Sequence, residues 1–568
     1  MHSLELILIL LAVSAALRIL ADRLSVPYAA LLVIGGLLLA VTPGLPHPKL
    51  SPEVLFLIFV PPLLYWGAAS FALRDLRREL GPILRLAIVM PIVSITAVAI
   101  TAHTMDSVFT WAAAFTLGAI VSFPDPVAVL SVLRSGGAAR SIESILEGEG
   151  LFNDAVGLVA YRFAVAAAVT NTFSPSSALI RFFLGAIAGV AIGIGMGYVA
   201  AYAHRLTRRI SVVENTISLL TPFASYLAAE AVGASGVIAV VLTGLYLSRV
   251  MPGMAGPETR LEHDAMWNVI TFLLESLVFI LVGLELPLVT HALQTYPRGL
   301  IIREAALIVA CVVLIRLLWV VPSAYVGRWI GRTARGTTDP IPQFGWIMFV
   351  GWVGLRGGDA VVVALALPET TAAGLPFPAR DQILFIVFAV TFVTLVVQGP
   401  TIAPLARFLQ VRGNGQEHGE EVHARLGAAE AALGVLDSPE AKASSRPEVV
   451  RYLAQRQKQR ARLWAAREAA LKDSGTTVPG LQHDHKTVIS ARDIGAIDDE
   501  RVEEYRRLRQ QMIDAEHNAL IDMRDRDEIP DDVMRRVQRD LDFESLLLDT
   551  RQPVAPRPQD VPGEIEEK

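Results

Sequence analysis

The chain has almost no cysteine and little charge. Cys311 is its one cysteine in 568 residues, so the chain alone forms neither a disulfide framework nor a cysteine-based metal site. Only 18% of the residues are charged and 53% are hydrophobic, whereas soluble domains average about 25% charged residues. These proportions exclude an ordinary soluble domain and indicate a polytopic membrane protein.

Long apolar runs fill the first 410 residues. A helix that spans a bilayer needs about 20 mostly apolar residues. Thirteen segments meet this criterion: 4–20, 26–41, 54–71, 82–102, 109–133, 145–169, 179–203, 216–231, 236–250, 266–288, 300–326, 344–367 and 383–409. Arginines gather in alternate loops, which places the N-terminus outside the cell membrane and the C-terminal tail in the cytoplasm. We predict an all-α transmembrane domain over residues 1–410, with about thirteen transmembrane helices.

Residues 411–551 have a different composition, rich in Ala, Glu, Arg and Gln, and predict a cytoplasmic helical tail. Apolar residues recur at helical spacing within 505–523 and 533–541, so these helices each carry one narrow apolar stripe. The tail is interpreted either as a regulatory element or as a stability or dimerisation element. The Pro- and Glu-rich stretch 552–568 is predicted to be disordered.

Carboxylates occur inside the apolar segments. Asp125 lies in the fifth segment, and the sixth contains Glu149 and Asp154. A charged side chain at the bilayer centre costs at least ~2.5 kcal/mol, so such a residue marks an ion or proton pathway by default. Asn153 shares a helix face with Glu149, whereas Asp154 is rotated from it by about 100°. We interpret Asp154 as facing a cavity; a buried polar network without a transport role is the alternative.

Two of the predicted helices are interrupted. Pro124 and Pro126 bracket a carboxylate in the fifth segment and remove backbone donors. The twelfth segment contains the glycine-rich run Gly354-Leu-Arg356-Gly357. Broken helices line the ion site in secondary transporters, and paired interruptions in two halves of a chain point to inverted repeats. For the first break, a simple proline kink is the alternative.

Glu149 needs a cation to stay charged in a low-dielectric interior. Arg316 lies deep in the eleventh segment with no acidic residue near it in sequence. We predict that the two form a structural ion pair, which would indicate a fixed scaffold. Snorkelling of Arg316 to the membrane interface is the alternative.

Several motifs occur in one order along residues 1–410, and together they carry a family resemblance. They are Pro61-Pro-Leu-Leu-Tyr65, Asp125-Pro-Val-Ala-Val-Leu, Glu147-Gly-Glu149-Gly-Leu-Phe-Asn153-Asp154, Phe279-Ile-Leu-Val-Gly-Leu, Gly354-Leu-Arg-Gly357 and Gln398-Gly-Pro400. With these motifs the chain resembles the bacterial NhaP/NHE-like cation/proton antiporters of the monovalent cation/proton antiporter 1 family.

The resemblance implies two inverted repeats with two unwound helices, arranged as a core domain and a dimerisation domain in a homodimer. It implies that Asp154 binds either H⁺ or the alkali cation (Na⁺), that Asn153 is typical of electroneutral members, and that Asp125 lies at the crossing of the unwound helices. Pro124 and Gly150 stand where relatives usually have Thr and Ser. Two hydroxyl groups near the ion are therefore absent.

The expected function is exchange of Na⁺, or alternatively K⁺ or Li⁺, for H⁺ by alternating access, in pH and cation homeostasis. The alternative is a transporter-like sensor of cation or pH that signals through its tail. An enzyme has little support, because the intramembrane polar residues include no nucleophile beside a base and no histidine cluster. We expect no cofactor and no nucleic-acid partner. Membrane lipids and a second copy of the chain are the expected partners, and the sequence does not identify a partner for the tail.

Overall fold

The protein is almost entirely helical. The computed structural model describes residues 2–24, 26–42, 52–126, 129–130, 133, 139–170, 175–208, 210–292, 296–335, 343–411, 416–474 and 499–549. Within these ranges, extended pairing is limited to two isolated bridges, one of which joins Pro124 to Arg356. The all-α fold class is confirmed. The segment 552–568, predicted to be disordered, lies outside the described residues.

The chain divides into two units, of which the first comprises Met1–Met251 and Asp264–Asn414. The helices that lie wholly or mainly in it are α1 (His2–Leu24), α2 (Tyr28–Ala40), α3 (Pro52–Ser70), α4 (Leu73–Arg78), α5 (Leu80–Leu84), α6 (Met90–Met105), α7 (Trp111–Val121), α8 (Arg140–Thr170), α9 (Pro175–Leu206), α10 (Ser211–Ala231), α11 (Gly236–Met254), α12 (Pro257–Ala292), α13 (Arg298–Arg335), α14 (Phe344–Trp352), α15 (Gly358–Leu365), α16 (Arg380–Phe392) and α17 (Ile402–Phe408). A π turn, Arg85–Val89, joins α5 to α6.

Seven helical stretches of the described chain are long and apolar enough to cross a membrane. They are Leu80–Met105, Arg140–Thr170, Phe183–Leu206, Gly236–Met254, Pro257–Glu285, Arg298–Val326 and Arg380–Phe408. Four shorter apolar helices accompany them, at Leu8–Ala21, Tyr28–Ala40, Phe56–Ser70 and Trp111–Val121. The protein is a multi-pass membrane protein, and the count of thirteen transmembrane helices stays a prediction.

Glycines allow the helices of the first unit to approach closely. A Cβ added to Gly118 of α7 would lie 2.6 Å from the carbonyl oxygen of Ile95 on α6. In the same way, a Cβ on Gly193 of α9 would lie 2.6 Å from the carbonyl oxygen of Ala239 on α11. Such small-residue contacts are typical of helices that pack in a membrane, where apolar side chains gain little by leaving lipid.

The two predicted helix breaks meet in space. Helix α7 ends before Pro124, and the gap between α14 and α15 contains Arg356. The backbone N–H of Asp125 donates to the carbonyl oxygen of Leu355 at 2.9 Å, and Nη1 of Arg356 donates to the carbonyl oxygen of Ser122 at 2.9 Å. Backbone groups that the breaks release from helices are thus hydrogen-bonded to one another, as burial requires.

The second unit comprises Pro252–His263 and Gly415–Lys568. Its remaining helices are α18 (Gln416–Asp437), α19 (Pro439–Ser444), α20 (Pro447–Ser474), α21 (Asp499–Asp525) and α22 (Asp531–Asp549). The apolar stripes predicted on the last two helices pack inside this unit, because Leu508 and Met512 of α21 and Val533 and Leu541 of α22 are all buried. Leu508 and Met512 belong to one hydrophobic cluster of this unit and Val533 and Leu541 to another, and both clusters hold its helices together.

The second unit includes the end of α11 and the start of α12, which the sequence did not group with the tail. Arg260 donates from Nε to Oδ2 of Asp542 at 2.8 Å, and Gln538 donates from Nε2 to the carbonyl oxygen of Pro252 at 3.0 Å. Burial raises the pKa of Asp542, but hydrogen bonds from Arg260 and His517 outweigh burial and hold that pKa below its ordinary value. Asp542 is therefore a charged anchor for residues 252–263.

Candidate cation site

Helix α8 carries Glu149, which pairs with Arg316 of α13. Glu149 is 1% exposed and Arg316 2% exposed. Nη1 of Arg316 donates to Oε1 of Glu149 at 2.5 Å and Nη2 donates to Oε2 at 2.8 Å. Nη2 also donates to the carbonyl oxygen of Val350 on α14 at 3.2 Å. Both charges are therefore compensated, a geometry in which removal of one partner is strongly destabilising.

Gly354 gives Arg316 the space to reach this position. A Cβ added to Gly354 would collide with Cδ and Nε of Arg316. A side chain at this point of the second break would therefore push the guanidinium away from Glu149. The glycine has a steric role that supports the ion pair.

Asp154 lines a cavity of about 30 Å³. Eight apolar side chains, among them Phe56 and Leu63 of α3 and Phe123 at the first break, form most of the wall. Within the described structure, Oδ1 of Asp154 is buried and accepts no hydrogen bond. Because one water needs about 10–15 Å³, the cavity has room for an ion or a water beside this carboxylate.

Asn153 and Asp125 lie near Asp154 but are not lining residues of the cavity. Asn153 is 2% exposed, and its Oδ1 finds no hydrogen-bond partner among the described residues. Asp125 is 7% exposed, and its carboxylate is close enough to repel the negative charge of Asp154. The structure thus brings the predicted acids together while only Asp154 of this group faces the open space.

Pro124, Arg356 and Gly357 build the crossing of the two breaks. Pro124 pairs with Arg356 in the isolated bridge, and Arg356 is 1% exposed. A Cβ added to Gly357 would lie 2.7 Å from Cβ and from Oδ2 of Asp125. These residues therefore set the position of the Asp125 backbone and side chain.

Gly150 has a steric role that the sequence did not reveal. A Cβ added to Gly150 would overlap the ring of Pro126, across the gap between α8 and the first break. A serine at this position would not fit without a shift of the proline. The close packing of Gly150 on Pro126 therefore explains why residue 150 has no side-chain hydroxyl group.

Sequence reasoning gave no role to two further acids. Asp359, in the first turn of α15, lines the same cavity as Asp154. Glu275 lies on α12, and its charge interacts with those of Asp125 and Asp359. The signal that identified Asp154, a carboxylate within an apolar segment, is present at both positions.

The cavity combines two carboxylates with an apolar wall. Among the described residues, no three His, Cys, Asp or Glu side chains are grouped closely enough to hold a metal ion. A cation in this cavity would therefore complete its coordination with water or backbone carbonyl oxygens, which suit hard cations. It would compete with a proton for the same carboxylate oxygen.

Comparison with known families decides what kind of protein carries this site. The sequence profile described as "Sodium/hydrogen exchanger, transmembrane" matches residues 8–408. The chain belongs to the sodium/hydrogen exchanger family. The resemblance drawn from the motifs is confirmed, and the family is one of transporters.

This exchanger has relatives that span most of its length. An uncharacterized Na⁺/H⁺ exchanger of Mycobacterium tuberculosis is 30% identical over 539 residues, which is 93% of each chain. A sodium, potassium, lithium and rubidium/H⁺ antiporter of Bacillus pumilus is 32% identical over 401 residues, which is 69% of this chain and 59% of the relative.

A solved structure resembles the exchanger in fold. The sodium proton antiporter MjNhaP1 from Methanocaldococcus jannaschii matches with a TM-score of 0.52 at 17% identity, covering 70% of this chain and 98% of that chain. The likeness shows that the exchanger has an NhaP-like fold.

Proposed function

We propose that the protein exchanges a monovalent alkali cation for H⁺ across the cell membrane by alternating access. Na⁺ is the first candidate, and K⁺ and Li⁺ are the alternatives. The observation that carries the proposal is Asp154, a carboxylate on the wall of the cavity, whose buried Oδ1 accepts no hydrogen bond in the described structure. A carboxylate in such a place must be neutralised, either by a proton or by a bound cation.

Asp154 is the residue at which the two ions compete. A proton on Asp154 neutralises that carboxylate, and a cation that binds there must displace the proton. When the cavity opens to the other side of the membrane, the reverse replacement releases the cation. Glu149 and Arg316 neutralise each other, so they serve as a fixed scaffold for α8 and take no part in the exchange.

The names of the relatives support this proposal. They are Na⁺/H⁺ exchangers and antiporters, and the Bacillus pumilus antiporter is named for potassium and lithium as well as sodium. The alternative, a membrane sensor that signals through its tail, has no such support. We further propose that the exchanger is a homodimer in the cell membrane, with the N-terminus outside and the tail in the cytoplasm, and that it serves pH and cation homeostasis.

Proteoliposomes with an imposed pH gradient test the proposal. We expect addition of Na⁺, Li⁺ or K⁺ to drive proton flux through the wild-type protein, and we expect Asp154→Asn to abolish that flux. Asp381→Asn is the matched control, because the Asp381 side chain is 48% exposed and lies away from the cavity lining. Cation-driven flux in Asp154→Asn would overturn the assignment of Asp154, and cation binding without flux in the wild type would favour the sensor.

A further inference from the structure

A second carboxylate faces the cavity that Asp154 lines. Asp359 belongs to α15, whereas Asp154 belongs to α8, so the two acids reach one space from different helices. On the basis of the proposed exchange function, we propose that Asp359 is a second ligand of the transported cation. The ion is held between Asp154 and Asp359, and Asp359 sets the affinity and the selectivity of the site.

Asp359 has no structural partner that would explain it. An acid in the first turn of a helix commonly caps free N–H groups or pairs with a cation. Here the N-cap of α15 is Gly357, and no side chain caps the helix. In the part of the chain that the structure describes, the Asp359 side chain takes part in no ion pair and no hydrogen bond. Its carboxylate remains available to the cavity.

The arginines near the crossing form hydrogen bonds with groups other than Asp154 and Asp359. Arg316 donates to Glu149 and to the carbonyl oxygen of Val350. Nη1 of Arg356 donates to the carbonyl oxygen of Ser122, and its Nε has no hydrogen-bond partner in the described structure. Neither guanidinium forms an ion pair with Asp154 or Asp359 in the described structure, so compensation of these acids is left to a proton or to a cation from solution.

The other acids nearby act at a distance. Asp125 at the first break repels the charge of Asp154, and Glu275 on α12 interacts with the charges of Asp125 and Asp359. Neither residue lines the cavity. Together they make the surroundings negative and favour entry of a cation, whereas only Asp154 and Asp359 lie where they can touch it.

The cavity itself points to a small ion as the occupant. Its volume of about 30 Å³ and its apolar wall leave Asp154 and Asp359 as its only ionisable lining residues among those described. The buried Oδ1 of Asp154 has no hydrogen-bond partner in the described structure. An alkali cation fits both the size and the charge of this space.

The test measures apparent KM and maximal rate for Na⁺, Li⁺ and K⁺ in proteoliposomes. We expect Asp359→Asn to raise the KM for Na⁺ by about tenfold or more, to keep the maximal rate within about threefold, and to change the order of preference among the three cations. The matched control is Asp381→Asn, because the Asp381 side chain is 48% exposed and does not line the cavity, and we expect its KM to change by less than about threefold.

The outcomes separate this inference from the proposed function. A wild-type KM and cation preference in Asp359→Asn, with flux still abolished by Asp154→Asn, would overturn the role of Asp359 and leave the exchange function intact. If the wild type shows no flux, binding of ²²Na⁺ to the purified full chain replaces the flux assay, and equal binding by the wild type and Asp359→Asn would again overturn the inference. If Asp359→Asn does not fold, Asp359→Glu moves the carboxylate by one methylene, and an unchanged cation preference in that variant would count against the proposal.

Discussion

The two units of the chain differ in whether their buried charges have permanent ion-pair partners. In the second unit, the Arg509 side chain is 5% exposed. Its Nη1 lies 3.2 Å from Oε1 of Glu516, and its Nε lies 2.7 Å from Oε1 of Glu544. Burial raises the pKa of Glu544, but Arg509 outweighs burial and holds that pKa below its ordinary value. The buried charges of Arg509 and Glu516 thus have permanent partners, and their role is to hold helices together.

The first unit contains both kinds of buried charge. Glu149 and Arg316 form a permanent pair, as Arg509 and its acids do. Asp154 and Asp359 line a cavity without an ion pair in the described structure. The contrast separates Glu149, Arg316 and Arg509, whose charges are compensated within the protein, from Asp154 and Asp359, at which a mobile ion can become the partner.

The largest effect should follow from breaking the permanent pair of the first unit. Glu149→Gln leaves Arg316 buried without its carboxylate, and we expect a loss of about 3–5 kcal/mol in stability. The measurement is the yield and the thermal midpoint of the full chain in detergent. Replacing both charges, as Glu149→Leu with Arg316→Met, should recover much of the loss. Normal thermal stability in the single variants Glu149→Gln and Arg316→Met would remove the scaffold role of the pair.

A smaller effect should follow from crowding the same helix at Gly150. The Cβ in Gly150→Ala would overlap the ring of Pro126, and overpacking of this kind typically costs about 1–3 kcal/mol. Gly195→Ala on α9 is the matched control, because a Cβ there meets nothing within 4 Å. We expect a lower thermal midpoint for Gly150→Ala and no loss for Gly195→Ala. Equal thermal midpoints for Gly150→Ala and Gly195→Ala would show that Pro126 shifts to accommodate the added Cβ without a loss of stability.

The smallest effect should appear in the second unit as a dependence of stability on pH. The folded-state pKa of Asp542 lies below its ordinary value. Its contribution is therefore present above the ordinary pKa and is lost as the pH falls through the lowered one. We expect hydrogen-exchange protection of residues 531–549 in the full chain to fall between neutral pH and about pH 3.

Asp542→Asn supplies the control for that measurement. The variant should show weaker protection of residues 531–549 at neutral pH and a smaller change on acidification, because the anchor for Arg260 is already weakened. Identical pH profiles for the wild type and the variant would mean that Asp542 does not link the tail helices to residues 252–263.

Some of the site was predictable because burial of charge follows simple rules. A carboxylate in an apolar helix requires a partner, so Glu149 could be matched to Arg316 across 167 positions of sequence. Proline and glycine interrupt helices for local reasons, so the breaks around Pro124 and Gly357 were also predictable. Each of these inferences starts from a residue whose type conflicts with its immediate neighbours in sequence.

The other features of the site depend on contacts between residues of different segments, which spacing along the sequence does not reveal. Asp359 follows two glycines, and only the folded chain shows that it shares a cavity with Asp154. Gly150 suggested a missing ligand, whereas its reason is the ring of Pro126 opposite. Likewise, nothing in the sequence indicated that residues 252–263 would join the tail helices, because Arg260 and Asp542 are 282 positions apart.

The hydrogen bonds that join the two breaks have a consequence for insertions and deletions. The joint is made by the main chain of Asp125 and Leu355 and by Arg356 on the carbonyl oxygen of Ser122, so it fixes a register between two distant stretches of sequence. A deletion of one residue in either break would keep every carboxylate in the chain and yet turn Asp125 or Asp359 away from its place. We expect such deletions to abolish transport although every charged residue is still present.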